Sequence, residues 1–129
     1  YLDRLGEGLR LSPSDGVEWL AVKRLETQAN AALEMGVKLV LEKRRPEHER
    51  SPSWMSRWTT NLGRALDALE DARPDPAALN MGTITAATAV TWIGFRHPDI
   101  DWSLGRPRLA ALQQAFEARP SFAETRPDL

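Results

Sequence analysis

The chain contains no cysteine. That excludes disulfides, thiolate metal sites and thiol redox chemistry by its own residues. It also lacks an excess of positive charge: 17 Lys and Arg stand against 18 Asp and Glu, for a net charge of -1. Proteins that bind nucleic acid or anionic membrane surfaces usually carry a basic surplus, so neither partner is expected. Its longest uncharged run falls short of the ~20 apolar residues a bilayer span needs. No signal peptide or lipidation motif is visible, and the expected location is the cytoplasm. A Gly-x-Ser-x-Gly elbow and a Gly-rich phosphate loop are missing as well. His48 and His97 stand in different loops without acidic ligands at metal spacing, so they read as surface histidines and no metal is expected. Strand-like alternation and internal repeats are absent, which leaves an all-α chain.

What is present begins with one run. Met81 to Phe95 (MGTITAATAVTWIGF) holds no charge in a protein that is otherwise 27% charged. At helical spacing Ile84, Thr88, Thr91 and Phe95 fall on one side, with Ala86, Val90 and Ile93 on the other. Such a helix has no polar face for water and belongs in the middle of a bundle. Asn80 before it is a good N-cap.

The other helices arrange themselves around that run. At 129 residues the chain suits one domain able to bury roughly two-thirds of its unfolded surface. Leu2, Leu5 and Leu9 predict a short opening helix that runs out at Gly6 and Gly8. Ser12-Pro13-Ser14-Asp15 offers a capped start for a long helix reaching about Arg44. Its main apolar stripe is Leu25, Ala29, Ala32, Gly36 and Val40, with a second shoulder of Leu33, Val37 and Leu41. Pro46 stops the mixed-charge loop 43–50. Ser51-Pro52 repeats the start signal for a helix to about Ala72, with Trp54, Trp58, Leu62, Ala65 and Leu69 on one face. Arg73-Pro74-Asp75-Pro76 breaks that helix. Pro107 opens another to about Ala118, and 121–127 adds a possible turn. Asp67 and Glu70 read as solvated partners of Arg64 and Arg73 three residues away. Arg96 and Asp101 are candidates for a pair fixing the loop after the uncharged helix. Trp58, Trp92 and Trp102 read as core. The fold expected is a helical bundle of about five helices around a central buried one, without a self-contained catalytic constellation.

Several segments taken together resemble the C-terminal helical domain of bacterial glutathione transferases. They are Asn80-Met81-Gly82-Thr83-Ile84, Trp92-Ile93-Gly94-Phe95-Arg96, Pro98-Asp99-Ile100-Asp101-Trp102, Arg106-Pro107-Arg108-Leu109 and Arg119-Pro120-Ser121-Phe122-Ala123-Glu124-Thr125. Arg24-Leu25-Glu26 with Ala29-Asn30 resembles that family's Arg-x-Leu-Glu-x-x-Ala-Asp helix. Tyr1-Leu2-Asp3 looks like the close of the preceding thioredoxin-like domain, and the chain opens without Met, so a piece of a longer protein is expected. The division implied is residues 1–11 as helix tail and linker, and 12–129 as the helical domain.

The resemblance implies a parent that conjugates glutathione, its co-substrate, to electrophilic hydrophobic substrates, with no covalently bound cofactor. The thioredoxin-like domain would hold most of the glutathione and the thiol-activating residue. The helical domain would supply the electrophile pocket and half of a homodimer contact, and would be inactive alone. Asn30 stands where many members have an Asp, which in some classes reaches the neighbour's glutathione; Asn keeps an acceptor but loses the ionic part of that bond, and a place in the helix seam is the alternative. Leu33, Glu34, Val37 and Leu41 are the candidate pocket residues, and a dimer seam suits the same set. No catalytic residue is assigned. The family's Ser/Thr-x-x-Asp capping box is here Asn80 and Thr83. This predicts a helix start weaker by a few tenths to about 1 kcal/mol than an Asp would give. Similar helical domains also occur as non-catalytic interaction modules, which is the alternative function.

Overall fold

A computed structural model describes residues 2–126. Tyr1 and the last three residues, on which parts of the opening and closing segments were read, lie outside the described residues. The helices are α1 (Leu2–Leu5), α2 (Gly16–Lys43), α3 (Pro52–Asp71), α4 (Met81–Arg96), α5 (Pro107–Glu117) and α6 (Pro120–Ala123), with a 3-10 turn at Glu47–Glu49. Among the described residues there is no strand. The fold is all-α: four principal helices, with single-turn helices at either end.

Local chemistry explains most of the boundaries. The Ser51 hydroxyl accepts from the Trp54 backbone N–H at 3.4 Å, and Pro52 occupies the first turn of α3. Pro107 opens α5 in the same way. α2 starts later than the Ser12 cap suggests, because residues 11 and 12 are engaged elsewhere. Asp3 accepts from Leu11 N–H at 2.8 Å and from Ser12 N–H at 3.1 Å. The chain then turns into the helix at Gly16, whose φ of 75° suits a residue without Cβ.

α2 packs along both α3 and α4. Its buried residues are Val22, Leu25, Ala29, Ala32, Gly36 and Leu39. The stripe ends on Leu39 rather than Val40, which is half-buried. Small residues let the helices approach: a Cβ on Gly82 would stand 2.9 Å from the Val22 carbonyl oxygen, and one on Gly36 2.8 Å from the Trp92 ring. α3 contributes Leu62, Leu66 and Leu69, and α5 contributes Leu109, Leu112 and Phe116. Each such side chain stabilises the fold by about 1.5–3 kcal/mol relative to exposure. Trp58, Trp92 and Trp102 are half-buried against this core, as expected. Trp54 is instead 50% exposed, stacked on Trp58 at a 5.7 Å centroid distance with Arg57 over its ring.

Two acidic residues have long-range partners that local spacing conceals. Glu70 is buried and caps α5, accepting from Arg108 N–H at 3.1 Å and Leu109 N–H at 2.9 Å, with the Arg108 guanidinium at 3.2 Å. Asp67 pairs with Arg106 at 2.7 Å. Arg106 also donates to the Trp102 carbonyl at 2.9 Å. Neither carboxylate is the solvated neighbour of Arg64 or Arg73, because α5 and the loop before it supply better donors. Asp101 likewise leaves Arg96 alone. It accepts from Ser103 N–H, Ser103 Oγ and Leu104 N–H, closing a turn, while Arg96 lies over the Phe95 ring.

Candidate functional site

α4 starts from a reciprocal cap. Asn80 Oδ1 accepts from Thr83 N–H at 3.0 Å, and Thr83 Oγ1 accepts from Asn80 N–H at 3.2 Å. Thr83 is buried, and its hydroxyl also donates to the Ala78 carbonyl at 2.7 Å. A carboxylate has no proton for that second bond. The expectation that Asp would serve better here left this bond out of account. Leu79 before the cap and Ile84 after it, the two positions of a hydrophobic staple, are both packed against the core.

Beyond the cap, α4 is not sealed all round. Gly82, Ala86, Ala87, Ala89, Val90 and Ile93 are buried. The other side is open: Thr88 is exposed, while Ile84, Thr91, Trp92 and Phe95 are half-buried. This open side is the floor of a cavity of about 410 Å³. α5 and α6 form its far wall, where Phe122 meets Phe116 edge-on at 5.4 Å. A volume of this size matches the range in which small ligands and large side chains are accommodated.

The rim of the cavity carries its charge. Thr91 Oγ1 donates to Glu117 at 2.9 Å, and Arg126 pairs with the same carboxylate. Burial pushes the Glu117 carboxyl up, but the hydrogen bonds from Arg126 and Thr91 outweigh that and hold it below the ordinary carboxylate range. Glu117 and Arg126 thus satisfy one another, Arg119 lies over the Phe116 ring at 5.6 Å, and the floor is apolar with two hydroxyls. No paired nucleophile and base faces it among the described residues. Its apolar floor suits the binding of apolar groups.

His97 is fully buried, not a surface histidine. Its Nε2–H donates to the Gly36 carbonyl at 3.0 Å, and Nδ1 accepts from Lys43 Nζ at 3.4 Å. Lys43 in turn pairs with Asp99 at 2.9 Å, and this bond holds the Asp99 carboxyl below its ordinary range. The three residues pin the C-terminal half of α2 to the end of α4. His48 remains exposed, as expected.

Comparison with known proteins gives this geometry a family. No protein-family model matches the chain. An uncharacterized GST-like protein, YibF of Escherichia coli (strain K12), is 30% identical over 131 residues, covering 98% of this chain and 65% of the relative. A glutathione transferase family member from Pseudomonas fluorescens Pf-5, solved with bound glutathione, superposes with a TM-score of 0.93 at 30% identity, over all of this chain and 64% of the other. A glutathione S-transferase from Methylobacterium radiotolerans in complex with glutathione sulfonate gives a TM-score of 0.88 at 28% identity, over 99% of this chain and 63% of the other. The chain is a glutathione-transferase-like C-terminal helical domain. It spans about two-thirds of the length of these relatives.

In this glutathione-transferase-like domain the residues singled out from sequence lie on α2, away from the cavity. Asn30 is exposed, and Glu34 pairs with Lys38 at 2.7 Å on the helix surface. Leu33 is half-buried against the core. Val37 and Leu41 stand 42% and 56% exposed. None of these five lines the cavity under α4. Leu79, Trp92 and Phe122 were not anticipated as cavity residues. The signal that marks the open side is the pair of hydroxyls Thr88 and Thr91 on the same face as Ile84 and Phe95; the third hydroxyl beyond the cap, Thr85, donates to the Met81 carbonyl at 2.7 Å. No described helix of the domain is long and apolar enough to cross a membrane.

Proposed function

We propose that this chain is the electrophile-pocket and dimer-forming domain of a glutathione transferase. The observation that supports it is the exposed apolar pair Val37 and Leu41 on α2, in a fold that recurs in glutathione-bound relatives. Apolar side chains left in water suit a wall for a hydrophobic electrophile. Leu33 and Glu34 extend that wall. Asn30 offers an amide to the glutathione of a neighbouring subunit, and the homodimer shares the same helix. The co-substrate is glutathione; no covalent cofactor is required.

A division of labour goes with this reading, because the chain spans about two-thirds of its glutathione-bound relatives. Glutathione brings its own thiol, and the group that takes its proton belongs to a thioredoxin-like domain outside this chain. In the reaction the glutathione thiolate forms the new carbon–sulfur bond, and the leaving group departs with its electron pair. The domain's part is to hold the carbon in place and keep water off it.

The test is glutathione conjugation to an aromatic halide, measured for the product of the full reading frame and for this chain alone. The longer protein is expected to be active and the chain alone inactive. Activity in the chain alone contradicts the division of labour. No glutathione binding by either points to a non-catalytic interaction module of the same fold.

A further inference from the structure

The apolar wall proposed on α2 ends on a cation. At about 3.6 residues per turn, Leu33, Val37 and Arg44 fall on one line along the helix, and Leu41 lies beside it. Arg44 closes α2 in right-handed helical geometry, with φ -78° and ψ -18°, so the line extends to it. Its Cα stands about 10 Å along the axis from that of Val37 at the usual helical rise. Its Cα–Cβ bond tilts back toward the helix N-terminus, over the turn that holds Leu41. We infer, on the transferase reading above, that Arg44 is the specificity residue of this wall and selects aromatic electrophiles that carry a carboxylate.

Three consecutive cations, Lys43, Arg44 and Arg45, close α2, and two of them are engaged. Lys43 pairs with Asp99 at 2.9 Å. Arg45 stands 3.5 Å from Glu49 and 3.9 Å from Glu42. Arg44 is exposed and forms no ion pair with a carboxylate among the described residues. Its planar fork of N–H donors matches a carboxylate, which two parallel hydrogen bonds can hold. The acid assigned to the wall, Glu34, is paired with Lys38 at 2.7 Å, which offsets its repulsion of an anion. The wall thus offers apolar contact along its length and positive charge at one end. A ring resting on Val37 and Leu41, 42% and 56% exposed, has its far edge toward Arg44. In the reaction the thiolate sulfur bonds to the ring carbon bearing the halide, and the halide leaves with its electron pair. The carboxylate is unchanged, and Arg44 touches no reacting atom. A cation in the last turn also suits the helix dipole, a role indifferent to what the substrate carries.

The two roles separate in the product of the full reading frame, assayed with glutathione, a chlorodinitrobenzoate and its neutral methyl ester. Arg44→Gln should raise KM for the acid about fivefold, the upper end for an exposed charge pair. Its kcat, and both constants for the ester, should hold. Arg44→Lys keeps the charge without the fork and should recover part of the loss. Arg45→Gln removes the same charge from a paired residue and should leave the acid-to-ester ratio within about twofold. Added salt should raise KM for the acid in the unmodified protein, and much less in Arg44→Gln. Turnover of the ester without the acid, or equal KM shifts for both in Arg44→Gln, overturns the inference and leaves Arg44 a helix-end cation. The transferase reading survives those results, because conjugation persists. Failure of the unmodified protein to conjugate either probe defeats that reading, and this inference with it.

Discussion

The two sides of α4 share one uncharged sequence but have different surroundings. On one side Ala86, Ala89, Val90 and Ile93 are fully buried within the bundle. On the other, Ile84, Thr88, Thr91 and Phe95 border a cavity. Hydrophobic patterning reports that a surface is meant to leave water. It is silent on what covers it. The sealed side is covered by this chain's own helices. The open side keeps an uncharged composition without that cover.

The comparison breaks most easily by truncation. Ile93→Ala should cost about 2–4 kcal/mol, since the cavity it leaves lies inside a close-packed core. Thr88→Ala should stay within about 0.5 kcal/mol. Urea unfolding of the two variants measures both, and equal losses would erase the distinction between the faces.

A second comparison sets polar groups inside the bundle against polar groups at the rim. Glu70→Ala strips the cap from α5 and leaves buried backbone N–H groups unpaired, at a cost of about 1–3 kcal/mol. Glu70→Gln, which keeps an acceptor, should lose less. A melt of Glu70→Ala unchanged from that of the unmodified chain would show that solvent satisfies those donors.

Thr83→Asp should lower stability by about 1 kcal/mol, because the carboxylate faces the Ala78 carbonyl without a proton to donate. Thermal unfolding above pH 6 decides it. A gain in stability would return the site to an ordinary capping box in which charge matters most.

Glu117 gives the smallest effect. Its folded pKa lies below the ordinary value of 4.5, so the native state favours the ionised form. The stabilisation is present above the unfolded value and is lost as pH falls through the folded one. Glu117→Gln should therefore flatten the fall in melting temperature below about pH 4.5, with little change at neutral pH beyond the lost pair. An acid limb unchanged by the substitution would mean that the rim pair contributes nothing in solution.

Much of the fold was legible because its signals are local. Ser51-Pro52, Asn80 and Pro107 each mark a helix start with neighbouring residues, and the structure begins helices at those places. Where distant residues decide, local patterning misleads. The Ser12 start fails because Asp3 captures the backbone of residues 11 and 12. Glu70 and Asp67 find partners 38 and 39 residues away, and no spacing rule reaches that far. His97 looks like a loop residue, yet the Gly36 carbonyl, 61 residues earlier, draws it into the interior. The cavity was hidden for a related reason: four of its floor residues, Ile84, Thr88, Thr91 and Phe95, were visible as one face of α4, but the wall behind which they open is made by α5 and α6. The α2 positions chosen from resemblance, Asn30, Leu33, Glu34, Val37 and Leu41, carry a proposal that geometry within this one chain cannot replace.

The absence of cysteine makes the central claim directly measurable. Thr88→Cys and Val90→Cys each place a single thiol two residues apart on opposite sides of α4, and maleimide labelling under native conditions reads their access to solvent. The account predicts labelling of the thiol at position 88 at a rate near that of the unfolded chain, and near-complete protection at position 90. Equal rates at the two positions would contradict it.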